Sequence, residues 1–399
     1  MKPRAIIAGV GMTRFGNHAD KNLKELALIA ISQALEDAGV DFSSIEAVWA
    51  GTAAAPLMTG QVCINGQVVL QDINKNHVPV INVENACATS STALHQAARM
   101  VELGAYDTVL AFGVEKLYHP DREQIGKVFL GCTDITQLER LYDFVNNKFH
   151  PNQRHSVFMD IYAKVTKDYM KKTGATKKHF AQIVAKNSRN GSLNEYAQFH
   201  DVLTEEEVLQ ARTIVEPLTL PMCSPLGDGA AAAVIVSEKK AKQLGIKKPV
   251  IIRSAVLSSG ANIENTQDLT KLTAEKSYQD AGVGPEDLDV IELHDATAPA
   301  EIICYEALGL CRPGEGPKLV EDRTTELDGK IPVNVSGGLI RKGHPIGATG
   351  LGQIFELTKQ LRMQAGPRQV EGAKVALAEN GGGWLGRDAA AIAITILST

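Results

Sequence analysis

An internal repeat restricts the fold of this chain more than any other feature of its sequence. The segment Asp37-Ala-Gly-Val, which ends a predicted helix, returns as Asp280-Ala-Gly-Val, 243 residues later. Gly51 and His294 follow the next predicted strand in each copy, and the same 243 residues separate them. A register that is kept over a helix and a strand predicts two related α/β halves, each with a mostly buried sheet.

The second part of each half also corresponds. In the first half, a turn of small residues at Cys87–Thr92 opens a predicted helix, and a strand at Thr108–Phe112 follows it. In the second half, the turn is Gly343–Gly350 and the strand is Lys374–Ala378. We therefore expect a duplicated α/β architecture.

A segment of different composition interrupts the first half. Residues 117–216 are rich in Lys, Asn, His and Tyr, and they contain a predicted helix at Val157–Lys172. We interpret this segment as an insertion that forms a lid-like subdomain. The expected domains are residues 1–250, which include the insertion, and residues 251–399.

Composition argues against several classes of function. The 399 residues carry a formal net charge of -5, which does not favour binding to nucleic acid or to an anionic membrane. We find no signal-peptide pattern and no apolar run near the roughly 18 residues of a membrane span, so we expect a cytoplasmic protein. Because the cysteines and histidines form no CxxC or HxxxH pair, we expect free thiols, no metal site and no permanently bound cofactor. The cysteines are Cys63, Cys87, Cys132, Cys223, Cys304 and Cys311.

One of these cysteines, Cys87, lies in a context that could activate it. The segment Asn82-Val-Glu-Asn-Ala-Cys-Ala-Thr-Ser-Ser-Thr joins a strand end to an amphipathic helix through small residues. Unpaired N–H groups and the dipole at a helix N-terminus favour a thiolate, and small neighbours let a carbonyl group approach. A buried structural cysteine in an Ala-rich helix explains this segment at least as well.

A histidine loop and a His-Asp motif could supply proton transfer. His344 is bracketed by glycines and a proline, and near a thiol it could accept the thiol proton; it could equally be structural. His294 follows a strand, at the end where α/β sheets commonly build their sites. Asp295 beside it is more readily a structural anchor, and Thr297 could cap the next helix.

The last motif is the segment Ala378-Glu-Asn-Gly-Gly-Gly-Trp. Its glycines allow close approach of the backbone, so an N–H group there could bind an oxyanion. The alternative is a plain turn between two strands, with Glu379 exposed.

Together, and in this order, these motifs and the Asp228-Gly-Ala-Ala-Ala run resemble the thiolase superfamily over nearly the whole chain. The resemblance is to the branch of sterol-carrier-protein thiolases and archaeal acetoacetyl-CoA thiolases. It implies the thiolase fold, in which two duplicated α/β halves form a five-layer arrangement. It also implies a dimeric core, and a coenzyme A-binding role for the inserted loop domain.

The resemblance implies a role for each matched residue. Cys87 would accept the acyl group, and His344 would activate its thiol. His294 and His344 would bind one thioester oxygen, whereas the backbone N–H groups of Cys87 and Gly381 would bind the other. Ser224 would contact the pantetheine arm of coenzyme A, which is a substrate.

The sequence departs from the family pattern at the second catalytic cysteine. Most thiolases carry that cysteine in the C-terminal glycine motif or in the His-Asp motif, where this chain has Glu379 and Ala296. Glu379 is the only ionisable group at these positions, so we expect it to be the acid/base, alone or together with a histidine. Thr297 stands where relatives prefer Phe, and this loss of bulk would admit a larger acyl group.

We therefore expect a thiolase that cleaves or forms a 3-oxoacyl-CoA with a bulky acyl part, such as benzoylsuccinyl-CoA. The alternatives are an acetoacetyl-CoA thiolase of isoprenoid synthesis, a retro-aldolase, and a non-catalytic scaffold or lipid-binding subunit; the retention of Cys87 and His344 argues against the retro-aldolase. The lysines of the insertion are scattered over residues 164–186 without a clear basic cluster for phosphates. We expect a homodimer that works with a small subunit carrying a zinc ribbon and an OB-fold.

Overall fold

A nine-stranded mixed sheet with helices on both faces dominates the structure, a computed structural model that describes residues 4–147, 155–261 and 268–399. The strands are β1 (Ala5–Met12), β2 (Ala47–Gly51), β3 (Val80–Val83), β4 (Thr108–Glu115), β5 (Thr213–Val215), β6 (Leu218–Thr219), β7 (Gly229–Ser237), β8 (Val250–Ser259), β9 (Val290–Glu292), β10 (Val375–Leu385) and β11 (Asp388–Ser398). The helices are α1 (Leu23–Ala38), α2 (Ala55–Thr59), α3 (Asn65–Leu70), α4 (Thr89–Glu102), α5 (Arg122–Gly131), α6 (Leu138–Val145), α7 (Val157–Thr173), α8 (Lys177–Ser192), α9 (Glu205–Gln210), α10 (Glu238–Gln243), α11 (Leu269–Ala281), α12 (Ala298–Ala307), α13 (Gly316–Glu321), α14 (Gly338–Lys342) and α15 (Thr349–Leu361).

The strands of the first half form one end of this sheet, and the strands of the second half form the other end. Its order is β3-β2-β4-β7-β1-β8-β11-β10-β9, so the first five strands come from the first half and the last four from the second. Strands β1 and β8 pair antiparallel, with Ile6 opposite Ile251. The two expected sheets are therefore joined edge to edge into one.

The repeat is visible in the structure. In the first half, β2 pairs parallel with β4; in the second, β9 pairs parallel with β10. The helices that precede β2 and β9 end at Gly39 (φ 67°) and Gly282 (φ 69°), both in the left-handed conformation that glycine adopts without strain. β2 begins at Ala47 and β9 at Val290, which keeps the spacing of 243 residues. The duplicated α/β fold class is confirmed.

Three hydrophobic clusters separate the layers of helices and strands. The central cluster contains residues of α4 and α15 and of strands from both halves, for example Leu351 of α15. A second cluster packs α1 against the strands of the first half, and a third packs α8, α11 and α12 against those of the second. Every residue of α15 except Lys359 is buried, because this helix packs against α4 and against strands of both halves. Burial of apolar surface on both sides stabilises this arrangement.

Residues 117–216, which the sequence predicts to be an insertion, contain helices α5 to α9 and strand β5. The predicted helix Val157–Lys172 is observed as Val157–Thr173. The buried carboxylate of Asp228 accepts the backbone N–H groups of Leu117 and Tyr118 at 2.7 and 2.9 Å, and so fixes the start of the insertion. Within the described ranges, no helix combines the length and the apolar character that crossing a membrane requires.

The predicted C-terminal end of strand Lys374–Ala378 is wrong. Strand β10 continues to Leu385, so the glycine run lies inside a strand rather than in a turn. Glycine weakens an isolated strand, but here it permits close packing. A Cβ atom at Gly382 would lie 2.2 Å from the carbonyl oxygen of Asn85, so β10 can cross the Cys87 segment only with glycine at this position.

Candidate active site

Cys87 lies on a 3-10 turn, Ala86–Ala88, directly before helix α4. Ala86 takes a left-handed backbone conformation (φ 48°), which is strained for a residue with a side chain. Thr89 stabilises the turn: its hydroxyl donates to the carbonyl oxygen of Ala86 (2.7 Å) and accepts the backbone N–H of Asn85 (2.9 Å). The small residues and threonines of this segment therefore fix the position of the thiol.

The glycine run of β10 faces the thiol. The backbone N–H groups of Gly383 and of Cys87 itself act on the Cys87 sulfur and lower its pKa. Gly381 lies on the same strand, where a Cβ atom would be 3.2 Å from Nδ1 of His294. The strand thus brings a backbone N–H group close to the cysteine and the backbone of Gly381 close to a histidine.

His344 lies in the loop between α14 and α15, and close contacts hold this loop to the first half of the chain. A Cβ atom at Gly350 would lie 2.0 Å from Oγ of Ser91. The backbone N–H of Gly347 donates to the buried carboxylate of Glu115 at 3.1 Å. The glycines of this motif therefore allow the second half to present His344 beside a cysteine of the first half.

The hydrogen bonds of His344 define which ring nitrogen carries the proton and which carries the lone pair. Nδ1 lies 2.7 Å from Oγ1 of Thr349, and this hydroxyl donates to the carbonyl oxygen of Pro345 at 3.0 Å. A hydroxyl has one proton to donate, so Thr349 accepts from Nδ1–H of His344. This assignment leaves the lone pair on Nε2, the nitrogen that faces the site.

Three functional atoms converge at this point. The donor atoms of Cys87, His294 and His344 all lie within 4.8 Å of one another, and all three residues are buried. Nε2 of His294 lies 3.4 Å from Nε2 of His344. Thiol and imidazole are also ligand types that zinc prefers, so the same three atoms could hold a metal ion.

Burial determines the charge state of this cluster. It lowers the pKa of His294 to about 4 and, together with the charge of His294, it lowers the pKa of His344 well below its usual value. Burial also raises the pKa of the Cys87 thiol well above its ordinary value, and this outweighs the N–H groups that favour a thiolate. At neutral pH the cluster therefore contains a thiol and two neutral imidazoles.

The two residues of the His-Asp motif have different roles. The backbone N–H of His294 donates to Oε2 of Glu379 at 3.0 Å, while its ring faces His344. The carboxylate of Asp295 accepts the backbone N–H of Leu339 at 2.6 Å and the side-chain amide of Asn187 at 3.1 Å. Asp295 therefore anchors α14 and α8, as the sequence suggested.

The predicted cap of the following helix is wrong in one respect. Thr297 occupies the N-cap position of α12, but its side chain makes no capping hydrogen bond. Its buried hydroxyl has no partner within the described residues. The helix begins here because Pro299 stands in its first turn, where a proline is favourable.

Glu379 is buried, with 2% of its surface exposed. The cause is its position inside β10, where Ile394 of β11 lies opposite. Burial raises the pKa of this carboxyl to about 7, although the N–H of His294 and the thiol of Cys304 act in the opposite direction. A carboxyl group with this pKa can both donate and accept a proton near neutral pH.

A large cavity, of about 2110 Å³, brings the predicted site residues together. Its lining includes Cys87, His294, His344, Glu379, Gly381 and Ser224. The backbone N–H of Ser224 donates to the carbonyl oxygen of Ala296 at 2.9 Å, which holds Ser224 beside the His-Asp motif. Cysteine, histidines, carboxyl and glycines thus share one space with room for a large substrate.

Sequence reasoning missed several residues of this cavity. Tyr162 of α7 lines it, and its pKa is raised by burial and by the charges of Cys87 and Glu379. Cys304 of α12 also lines it, and its Sγ lies 3.8 Å from Oε2 of Glu379. Neither residue belongs to a glycine-rich motif. Each reaches the cavity because it lies on the face of its helix that lines the cavity.

The insertion also contributes cations that do not form a cluster along the sequence. Arg122, Arg140 and Arg212 are far apart in the insertion, but all three line the cavity. The sequence shows no clear basic cluster in this segment, whereas the structure places these three arginines on the lining of one cavity. Anionic parts of a substrate could contact these arginines.

Comparison with known proteins gives a consistent picture. Residues 5–239 match the model for the thiolase N-terminal domain, and residues 255–395 match the thiolase C-terminal domain-like model. Sterol carrier protein 2 of Oryctolagus cuniculus is 37% identical over 391 residues, which are 95% of this chain and 70% of that protein. Benzoylsuccinyl-CoA thiolase subunit BbsB of Thauera aromatica is 36% identical over 378 residues, which cover 93% of this chain and 92% of the subunit. Acetyl-CoA acetyltransferase of Methanothermobacter thermautotrophicus is 33% identical over 389 residues, which cover 96% and 97%.

Solved structures share the fold. The complex described as Ltp2-ChsH2(DUF35) aldolase matches with a TM-score of 0.82 at 22% identity, covering 100% of this chain and 99% of the matched one. Human mitochondrial 3-ketoacyl-CoA thiolase matches with a TM-score of 0.73 at 15% identity, covering 100% and 99%. These likenesses confirm the thiolase fold, and the sequence matches confirm the resemblance that the motifs indicated. The chain belongs to the thiolase family.

Proposed function

We propose that this chain is a thiolase-type acyltransferase that cleaves or forms a 3-oxoacyl-CoA through an acyl group on Cys87. The convergence of Cys87, His294 and His344 within 4.8 Å, at the wall of the large cavity, carries the proposal. A thiol beside a basic nitrogen is the arrangement that nucleophilic acyl transfer requires. The thiolase names of relatives at 33% and 36% identity support it.

The first half-reaction forms the acyl-enzyme. Nε2 of His344 takes the Cys87 proton, and the thiolate attacks the β-carbonyl carbon of the 3-oxoacyl-CoA. The bond between this carbon and the α-carbon breaks, and its electron pair remains on the shorter acyl-CoA as an enolate. His294 and protonated His344 bind the thioester oxygen of the enolate, and the N–H groups of Cys87 and Gly381 bind the oxygen of the attacked carbonyl.

Glu379 supplies the proton that the missing second cysteine supplies in other thiolases. Its carboxylic acid protonates the α-carbon of the enolate, and the shorter acyl-CoA leaves. The resulting carboxylate then accepts the proton of an incoming coenzyme A thiol, whose sulfur attacks the acyl group on Cys87. The bond between the acyl carbon and the Cys87 sulfur breaks, and the released thiolate recovers the proton that His344 holds. The pKa of Glu379, about 7, suits both of its steps.

We propose an aromatic acyl group, because aromatic side chains cluster on one wall of the cavity. The ring centroids of Phe144 and Trp384 lie 5.9 Å apart, those of Phe129 and Phe158 lie 6.3 Å apart, and Phe158 and Tyr162 follow at 6.5 Å. All five line the cavity, although Phe, Tyr and Trp make up only 5% of the chain. Offset aromatic contacts at such distances favour a planar ring.

The likeness to the benzoylsuccinyl-CoA thiolase subunit supports a benzoylsuccinyl-like substrate. The competing proposal is acetoacetyl-CoA, which the likeness to an archaeal acetyl-CoA acetyltransferase favours. The aromatic side chains on the cavity wall favour the aromatic acyl group. Measuring kcat/KM for both substrates with coenzyme A decides between them: a higher value for acetoacetyl-CoA would exclude the aromatic proposal.

For the quaternary structure, we propose a homodimer with a small zinc-ribbon and OB-fold subunit. Strand β3 is an edge of the large sheet, and within the described residues nothing pairs with its outer side. An unpaired edge is suited to association with a second chain. The subunit designation of one relative and the two-component aldolase complex of similar fold support the second subunit.

Covalent labelling tests the central proposal. Brief treatment with iodoacetamide should modify Cys87 before the other cysteines, acyl-CoA should protect it, and EDTA should leave the rate unchanged. Intact mass after incubation with the 3-oxoacyl-CoA should show one added acyl group, which Cys87→Ser abolishes and Cys311→Ala keeps. Acylation that persists in Cys87→Ser, or labelling that requires EDTA, would contradict a free nucleophilic thiol.

A further inference from the structure

Cys304 is a thiol inside the active-site cavity for which the proposed reaction has no role. It lies on α12, and its Sγ donates to Oε2 of Glu379 at 3.8 Å, within range for a weak S–H hydrogen bond. Burial and the charge of Glu379 raise the pKa of Cys304 well above its usual value. Cys304 therefore keeps its proton and acts on Glu379 as a neutral donor.

The two oxygens of Glu379 have different surroundings. Oε2 accepts the backbone N–H of His294 at 3.0 Å and the thiol of Cys304 at 3.8 Å. In the part of the chain that the structure describes, Oε1 accepts no hydrogen bond, and Glu379 lines the cavity. One oxygen is thus held from two sides, and the other is left for a substrate.

We propose that Cys304 is a positioning residue for Glu379: its thiol, with the N–H of His294, holds Oε2 so that Oε1 faces the α-carbon of the substrate. The proposal rests on the proposed acid/base role of Glu379. No covalent step involves Cys304. The proton that reaches the α-carbon leaves Oε1, and the coenzyme A thiol returns a proton to the same oxygen, while the Cys304 S–H stays intact.

A weak neutral donor suits this position better than a charged one. A lysine or arginine beside Glu379 would hold the carboxyl ionised, and it could no longer act as an acid at neutral pH. A thiol directs the carboxyl with a much smaller effect on its pKa. The other titratable groups that face Glu379 are Asp268 at the start of α11, His294 after β9 and Tyr162 of α7.

The alternative is that Cys304 only fills space, since it packs against the third hydrophobic cluster. Cys311 is a matched control, because it packs against the same cluster but does not line the cavity. Loss of packing alone would lower stability in both Cys304→Ala and Cys311→Ala. A change in the ionisation of Glu379 would occur only in Cys304→Ala.

The pH dependence of kcat/KM for thiolysis distinguishes a positioning role of Cys304 from a packing role. Protonation of the enolate that C–C cleavage leaves needs protonated Glu379, so the rate of the wild type should fall as pH rises through about 7. Removing the Cys304 donor destabilises the carboxylate, so Cys304→Ala should move this fall upward by roughly half a pH unit. Cys311→Ala should leave it in place. An unshifted profile in Cys304→Ala would overturn the proposal.

Two further measurements keep the test decisive. In a Glu379→Gln background, Cys304→Ala should have no further effect on the pH profile; if Glu379→Gln itself keeps normal turnover, the proposed role of Glu379 fails instead. If Cys304→Ala does not fold, infrared spectra of the wild type replace it. One S–H stretching band should shift as Glu379 titrates, and this shift should be absent in Glu379→Gln. If no S–H band of the wild type shifts over this pH range, the proposal is refuted.

Discussion

Replacing Thr349 by valine tests whether the proton position on His344 matters for catalysis. The hydroxyl of Thr349 accepts Nδ1–H of His344 at 2.7 Å, and this bond leaves the lone pair of the ring on Nε2, where it can act as a base. Valine has nearly the same shape but cannot accept a hydrogen bond. The buried imidazole then loses its fixed tautomer, and its protonated form loses a partner.

The size of the effect follows from the cost of an unsatisfied buried donor. That cost is about 1–3 kcal/mol, which corresponds to a rate reduction of roughly 5- to 150-fold for Thr349→Val. Turnover in thiolysis and the rate of Cys87 alkylation should fall together. The control is Thr358→Val on the same helix, because Thr358 is fully buried and its hydroxyl has no partner in the described structure. If the two variants differ by less than about twofold in both rates, the tautomer argument is refuted.

Four other outcomes are expected. Glu379→Gln should slow turnover by about 10²–10⁴-fold while Cys87 still becomes acylated by a simple acyl-CoA; near-normal turnover would favour a histidine as the acid. Burial raises the pKa of Glu379 to about 7 in the folded protein. The wild type therefore loses stability as pH rises from the pKa of Glu379 in the unfolded chain to its pKa in the folded protein. The melting temperature of Glu379→Gln should exceed that of the wild type at about pH 8 and equal it near pH 4. Phe158→Ala should raise KM roughly 3- to 10-fold for an aromatic 3-oxoacyl-CoA and leave acetoacetyl-CoA nearly unaffected; equal losses would argue against an aromatic acyl site. The purified chain should be a weakly active homodimer that a small zinc-containing subunit activates, and full turnover without it would contradict the proposed partnership.

The sequence is most informative where the backbone itself is constrained. Close packing of glycine and small residues fixes the segments of Cys87 and His344, so each motif carries its geometry locally. The repeat then places His294 at the end of a strand that corresponds to β2. The fold class and the meeting of these three residues can therefore be predicted from the amino-acid sequence alone.

Features that depend on packing between distant segments cannot be predicted in this way. The sequence pattern ends the strand before the glycine run of β10, because the contact of Gly382 with the carbonyl oxygen of Asn85 exists only in three dimensions. Tyr162 and Cys304 reach the cavity from helices whose orientation no local pattern specifies. The arginines of the insertion form part of one surface only because its helices fold around the cavity.

The charge state of the cluster of Cys87, His294 and His344 also cannot be predicted from the sequence. A helix N-terminus favours a thiolate, yet burial raises the pKa of Cys87 and lowers those of His294 and His344. The site at rest is therefore neutral, and substrate binding favours its ionisation. A substrate carbonyl that binds the N–H groups beside Cys87 supplies the place where negative charge can develop. Proton transfer from Cys87 to His344 then becomes more favourable with the carbonyl in position, which links deprotonation of the nucleophile to its attack.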